Sequence, residues 1–375
     1  MKYIKQLDSL RAVAVILVII NHWVPPNNII NRIPNGAIGV DIFFVLSGFL
    51  ISGILFDSRN KADSLNIGKS FFIKNFYIRR SLRIFPIYYL VIFAILLFAK
   101  ASQTGIKPNF LYFATYTSNF YFFKIQGWDG MVGHLWSLAV EEQFYLIWPW
   151  IILFANKKYF LPIISVFILI GITTQVALSN MNMSNVLTFT CFDAFGIGAI
   201  LAWVTTYAKG KLRKFFLVVS PLAAIATCFL VLGIYQHKWI VPIRTSVSFM
   251  TVWLLAYIML NYEADSLRFK FILNNRMLIF LGKISYGIYL YHNIIPSTLN
   301  AKLINKYLNP LLPDLLYKRY WGQLFLVENI ILVVFVSWLS FVLIEKRFLN
   351  LKKYFEYKKE NKPEQSYVPN ESVTA

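Results

Sequence analysis

Ten stretches of about 17–25 predominantly apolar residues interrupt this 375-residue chain, and they constrain the fold more than any other feature. They cover residues 7–25, 36–56, 84–100, 132–154, 159–178, 187–207, 215–235, 244–262, 277–297 and 322–344. A membrane strand is only about half as long, and open sheet edges cannot sit in hydrocarbon, so runs of this length read as membrane-crossing helices. The expected fold class is all-α: a polytopic membrane protein with about ten transmembrane helices. Composition agrees, since 58% of residues are hydrophobic and only 14% are charged. The third run is the weakest, being short and holding Pro86, but the basic, helix-compatible lead-in from Lys69 to Arg83 extends it.

The formal net charge is +20, which in a soluble protein would point to nucleic acid. Placement decides otherwise. An even number of spans puts both termini on one side, and the segments on that side hold most of the 37 Lys and Arg residues: 56–83, 207–214, 263–276 and the stretch from Lys346 onward. That bias is a positive-inside signature, so both termini are expected in the cytoplasm, facing anionic lipid, with no nucleic-acid partner. Lys2 and Lys5 make a short basic start, but Asn21-His22-Trp23 is no small-residue cleavage site, and the first helix is expected to be retained. Cys191 and Cys228 sit in apolar runs without metal-ligand spacing and are expected to pack. Residues 1–350 form one membrane-embedded domain, and residues 351–375, rich in Lys, Glu, Asn, Pro and Ser, form a polar, disordered cytoplasmic tail.

The intramembrane polar residues sort into two depths. Near the inner face lie Arg11, the group Arg79, Arg80 and Arg83, and Lys283. Residues three and four apart share a helix face, so Arg79, Arg80 and Arg83 can converge on a polyanion; single cations at such a boundary also snorkel to lipid headgroups. Near the outer face lie His22, Asp41, Glu141, Glu142, Asp193 and His292. Arg11 and His22 are eleven residues apart, three helical turns within about 20°, which sets them on one face of the first helix roughly 16 Å apart. His22 and Asp41 fall at similar depth on consecutive antiparallel helices, an arrangement that suits a carboxylate-oriented imidazole acting as general base. It suits an interhelical hydrogen bond equally well.

Ser137 and Glu141 are four apart and face together, and a hydrogen-bonding role for Ser137 is favoured over a nucleophilic one. Of the two carboxylates Glu142 is preferred. His22, His134, His237 and His292 have no metal-ligand spacing, so no metal is expected. Phosphate loops and dinucleotide fingerprints do not occur. The longest outer segment, 101–131, carries Phe110, Tyr112, Tyr116, Tyr121, Trp128 and Asp129; it reads as an interfacial aromatic belt first and as a sugar-stacking surface second.

Six motifs in order, LDSLRAVAVILVIINHW (7–23), GVDIFFVLSGFLIS (39–52), RRSLRIFPIYY (79–89), HLWSLAVEEQFYLIWP (134–149), FDAFGIGAILAW (192–203) and ISYGIYLYH (284–292), make the chain resemble the acyltransferase 3 family. These are integral-membrane acyltransferases that modify sugars and other envelope molecules in bacteria, and the resemblance runs from about Leu7 to Phe348. It implies an acyl-coenzyme A donor, commonly acetyl-CoA, taken from the cytoplasm as co-substrate with no tightly bound cofactor. It also implies a carbohydrate or glycolipid acceptor whose hydroxyl lies on the outer side of the bacterial inner (cytoplasmic) membrane. His22 matches the family's essential histidine, Arg11 its first-helix arginine, and Arg80 and Arg83 its paired arginines.

From this follow the expected roles. His22 and Asp41 are catalytic, Arg11, Arg79, Arg80 and Arg83 hold the donor phosphates, and Glu142, Glu141, Ser137, Asp193 and His292 contact the acceptor. Some relatives carry a further helix and an extracellular hydrolase-like domain, whereas this chain runs into a short polar tail and is expected to act alone or with a separate partner. A transporter or flippase using a proton relay is the rival reading, with a membrane scaffold third. The acceptor and the oligomeric state are not written in the sequence.

Overall fold

In the computed structural model, residues 3–97, 104–236, 239–263, 269–309 and 314–355 are described. Among them there is no strand, and the protein is an all-helical, multi-pass membrane protein. The tail expectation for 356–375 lies outside the described residues, as does His237.

Helix α1 (Lys5–Trp23) ends as the chain turns extended at Val24, just before Pro25, and returns as α2 (Asn35–Leu65), which stops at Asn66 in the left-handed conformation. Helix α3 (Lys69–Leu97) includes the basic lead-in and runs through Pro86. Two short helices, α4 (Phe110–Ala114) and α5 (Ser118–Ile125), fold the next segment onto α6 (Leu135–Phe154). Then come α7 (Phe160–Ala177), α8 (Phe192–Tyr207), α9 (Leu212–Gln236) and α10 (Ile243–Asn261). The short α11 (Lys270–Leu273) leads to α12 (Arg276–Lys283), α13 (Ser285–Tyr291) and α14 (Asp314–Ser340).

Seven helical segments among the described residues are long and apolar enough to cross a membrane; α1, which carries Arg11 and His22, and α6, which carries Glu141 and Glu142, are not among them. The ninth apolar run departs from the expected single span. It breaks at Ile284 (φ −100°, ψ 10°), between Gly282 and Ser285, and the helix ends again at His292 before a π-helical stretch over Pro296–Leu308.

Helix α2 is the hub. It packs against α1, α6, α8 and α10, whereas α7 and α9 expose Leu169, Leu217 and Ile225, as lipid-facing helices do. The α2–α8 crossing depends on glycine. A Cβ on Gly48 would overlap the Phe195 backbone, and one on Gly198 would overlap the Val45 carbonyl. Close approach of this kind gives the packing that associates helices when lipid is as apolar as the side chains. Phe144 stacks on Phe195 at 4.1 Å beside that crossing, and Trp148 donates its indole N–H to Ser52 at 2.8 Å. Helix α1 is held on its other side by α12, where Gly282 sits directly on the Asp8 backbone.

Overpacking the crossing should cost about 1–3 kcal/mol. Gly48→Ala and Gly198→Ala are expected to lower the melting temperature of the purified protein, while Gly68→Ala, where a Cβ would meet nothing, should leave it unchanged. Equal melting of all three would remove the crossing from its central place.

Candidate functional site

Three cavities lie end to end through the bundle. At one end Arg79, Arg80 and Arg83 of α3 meet Lys61 of α2 and Lys352, which the chain beyond α14 folds back over α3. They line a cavity of about 210 Å³ together with Phe71, Phe72 and Phe76, and among the described residues no carboxylate contributes to its wall. Five cations around one space are stable only with anions or water between them, an arrangement that can hold a polyanion.

Arg80, Arg83 and Ile54 also line the second cavity, of about 230 Å³, which adds Arg11, Ser47, Ser137, Glu141, Glu142, Tyr145 and Tyr289. Arg11 is tied to Asp8 at 2.7 Å, and Asp8 also accepts from the Tyr3 hydroxyl at 2.5 Å. Burial and then that bond to Asp8 push the Tyr3 phenol up to about 12, so it remains a donor. Glu141 accepts hydrogen bonds from Ser47 at 2.9 Å and Tyr145 at 3.2 Å, and Arg80 lies over the Tyr145 ring. Glu142 Oε1 is buried with no partner. The two glutamates therefore belong with the arginines, not in the histidine layer. They follow Leu135, the first residue of α6, by two turns, about 10 Å of axial rise, which carries them past the outer level.

The third cavity, of about 410 Å³, holds His22, Asn21, Asp41, His134, Arg244, Asn293 and Trp128. His22 keeps an exposed face there, and its Nδ1 lies 2.8 Å from the Val18 carbonyl. A carbonyl only accepts, so Nδ1 carries the proton and Nε2 of the neutral ring is bare. The expected His22–Asp41 pair is not formed. Asp41 accepts from Arg244 Nε at 2.8 Å instead, because a fully buried guanidinium offers the carboxylate a counter-charge that a neutral imidazole cannot. Arg244 also donates to the carbonyls of Thr190 at 2.7 Å and Asn185 at 2.9 Å, and thereby fastens the chain before α8 to this cavity.

Three imidazoles cluster at this end. His292 lies 4.9 Å from the His22 ring and 4.8 Å from the His134 ring. The break after α13 frees backbone carbonyls, and aromatic N–H groups use them: His292 Nδ1 reaches Tyr289 O at 2.5 Å, His134 Nε2 reaches Leu290 O at 3.1 Å, and Trp23 Nε1 reaches His292 O at 2.9 Å. His292 is fully buried behind the cavity wall, so it backs His22 and does not line the acceptor space as expected. Asp193 is buried too, taking a 2.7 Å bond from Thr245, and lines none of the three cavities. Among the described residues no cluster of metal ligands is present.

Of the aromatic segment before α6, only Trp128 reaches the third cavity. Tyr121 and Asp129 are spent on each other and on the Gly105 backbone, at 3.2 Å and 2.9 Å. Lys283 lies over the Tyr3 ring, away from the three cavities. Ser137, by contrast, is a hydrogen-bonding serine, joined to Tyr289 and the His134 carbonyl.

Fold and site together define a multi-pass membrane protein whose interior joins a cationic pocket to an imidazole cluster through a polar passage. The chain belongs to the acyltransferase 3 family, whose acyltransferase domain matches residues 4–345. It is 32% identical over 322 residues to the peptidoglycan O-acetyltransferase OatA of Listeria monocytogenes, which covers 78% of this chain and 49% of that protein. It is 29% identical over 370 residues to the putative peptidoglycan O-acetyltransferase YrhL of Bacillus subtilis, covering 92% of this chain and 55% of the relative. With the O-acetyltransferase OatA of Staphylococcus aureus the identity is 28% over 332 residues, covering 80% and 52%. The chain thus spans about half the length of the curated relatives it matches. No solved structure matches it.

His134, Arg244, Tyr289 and Lys352 line the cavities but were not expected to. His134 sits just before a span and Arg244 just inside one, where each reads as a boundary charge. Only their depth beside His22 could have singled them out. Removing one member of the buried Asp41–Arg244 pair leaves an uncompensated charge, a loss of about 3–5 kcal/mol. Arg244→Ala should therefore melt far below wild type, and Asp41→Leu with Arg244→Met should recover most of the difference; a lone Arg244→Ala that melts like wild type would contradict the pair.

Proposed function

We propose that the protein transfers an acyl group, acetyl foremost, from cytoplasmic acyl-coenzyme A to a hydroxyl of an envelope saccharide. The observation that carries this reading is the passage from five clustered cations to the bare Nε2 of His22. Coenzyme A is a long arm with phosphates at one end and a thioester at the other, a division of chemistry that suits cavities with cations at one end and an imidazole at the other. Arg80 and Arg83, with Arg79, Lys61 and Lys352, bind the phosphates as charge-assisted donors. Arg11, already neutralised by Asp8, holds the level where the arm passes inward.

The acceptor hydroxyl gives its proton to His22 Nε2 as its oxygen attacks the thioester carbonyl. Collapse breaks the carbon–sulfur bond, and the imidazolium returns the proton to the departing sulfur. Products are the ester and free coenzyme A thiol, and no proton is gained or lost. His22 needs no carboxylate to set its tautomer, because the Val18 carbonyl does so. The cationic end is the cytoplasmic one in this reading, with the histidine end toward the outside of a bacterial cytoplasmic membrane. The names of the relatives make peptidoglycan the first acceptor to test.

Purified protein in liposomes, given labelled acetyl-coenzyme A and peptidoglycan fragments, should label the fragments. His22→Ala is expected to lower turnover by about 10²–10⁴ while keeping donor affinity. Arg83→Ala should weaken donor binding about tenfold, the loss of one charge-assisted contact. Label that never leaves the donor, in wild type and both variants alike, would overturn the enzyme reading; net uptake of donor or glycan without label transfer would favour a transporter.

A further inference from the structure

The second and third cavities come from opposite ends of the bundle, and the residues common to their walls are Val40 and Tyr289. Both cavities carry polar and ionisable side chains among apolar ones, enough to hold water: Arg11, Arg80, Arg83 and Glu142 on one side, His22, Asp41, His134 and Asn293 on the other. A membrane protein with water-holding cavities at both ends of its bundle has to keep them apart or it short-circuits the proton gradient. The wall between these cavities is therefore a functional element, and Val40 and Tyr289 are the residues that face both sides of it.

Tyr289 is held there firmly. Its hydroxyl lies 2.5 Å from Ser137 Oγ and 3.1 Å from the His134 carbonyl, and Ser137 reaches the same carbonyl at 3.2 Å. Its ring meets Phe43 edge-on at 5.9 Å, with His134 at 5.7 Å on another side. The residue is buried, and it belongs to α13, the short helix between the break at Ile284 and the end at His292. A ring on a helix interrupted at both ends can swing aside without dragging a whole span with it.

We propose that Tyr289 is the seal of the passage: latched by Ser137, it keeps the two cavities apart, and the thioester arm of the donor reaches His22 by displacing its ring. The donor part of this statement rests on the function proposed above, whereas the seal does not. With the ring in place, water and protons stop at Val40 and Tyr289. With the arm in place, the arm itself fills the gap, so the passage is closed in both states and open only in exchange between them. The acyl thioester is also kept from outer water until the arm has entered, which limits its hydrolysis to acetate and free thiol.

The test uses the full chain in liposomes loaded with a pH-sensitive dye, under a potassium diffusion potential, with no donor present. Wild type should be tight. Tyr289→Ala should raise proton flux roughly tenfold, because removing the ring joins two wet cavities, and Tyr289→Phe, which keeps the ring, should stay close to wild type. Ser137→Ala, which removes the latch and little volume, is expected to fall between. If Tyr289→Ala cannot be recovered folded, Ser137→Ala decides: flux equal to wild type in that variant overturns the seal, as does equal flux in Tyr289→Ala. A second arm adds acetyl-coenzyme A without acceptor and follows acetate release, which should rise in the same leaky variants. Proton leak without acetate release in any variant would leave the seal standing and count against the donor reading. Acetate release without proton leak would overturn the seal and support the donor.

Discussion

An ionised side chain inside a bilayer has to find a counter-charge, a hydrogen-bond network or water, and the interior of this protein is arranged around that requirement. Arg11 has Asp8, Arg244 has Asp41 and two carbonyls, and Glu141 has two hydroxyls, with Arg80 spread over an aromatic face. These pairs also order the backbone. Arg244 joins α10 to α2 and to the chain before α8, and Asp8 lies where α1 and α12 touch. Besides these pairs stand cations gathered around the first cavity, a carboxylate oxygen on Glu142 with no partner among the described residues, and a bare imidazole nitrogen on His22.

The all-helical, multi-pass class was legible because hydrocarbon thickness sets the length of an apolar run, whereas the number of spans was not: seven described segments qualify and the ninth run is broken. Arg11 and His22 keep the shared face of α1 that their spacing implied, and each lines a cavity on the passage. Depth was read less well. Glu141 and Glu142 were grouped with the histidines, but they lie two turns inside α6, which brings them to the level of the arginines. The break at Ile284 was hidden because the run as a whole stays apolar, so hydropathy averaged over it passes across Lys283-Ile284-Ser285 without an interruption.

Partners were the least legible part. Asp41 looked like the natural companion of His22 because both were near one level, yet charge prefers charge in a dry interior, and Arg244 supplies it. His134 and His292 have backbone carbonyls as partners, and no pattern of side chains records which carbonyls a broken helix sets free. The glycines that allow the α2–α8 crossing were visible as small residues in an apolar run; that they meet backbone, and not another side chain, is a fact of the assembled bundle.

One consequence of the break after α13 reaches beyond packing. All three imidazoles take their hydrogen-bonding state from main-chain oxygens, Val18 for His22, Tyr289 for His292 and Leu290 for His134. The choice of which ring nitrogen is bare is thus written in the course of the chain and not in neighbouring side chains. Residues that line the third cavity, such as Trp128 and Asn21, can be exchanged without touching the main-chain bond that sets the His22 ring. The lining of the third cavity can therefore change by ordinary point substitution while the main-chain bonds that orient the imidazoles are inherited intact.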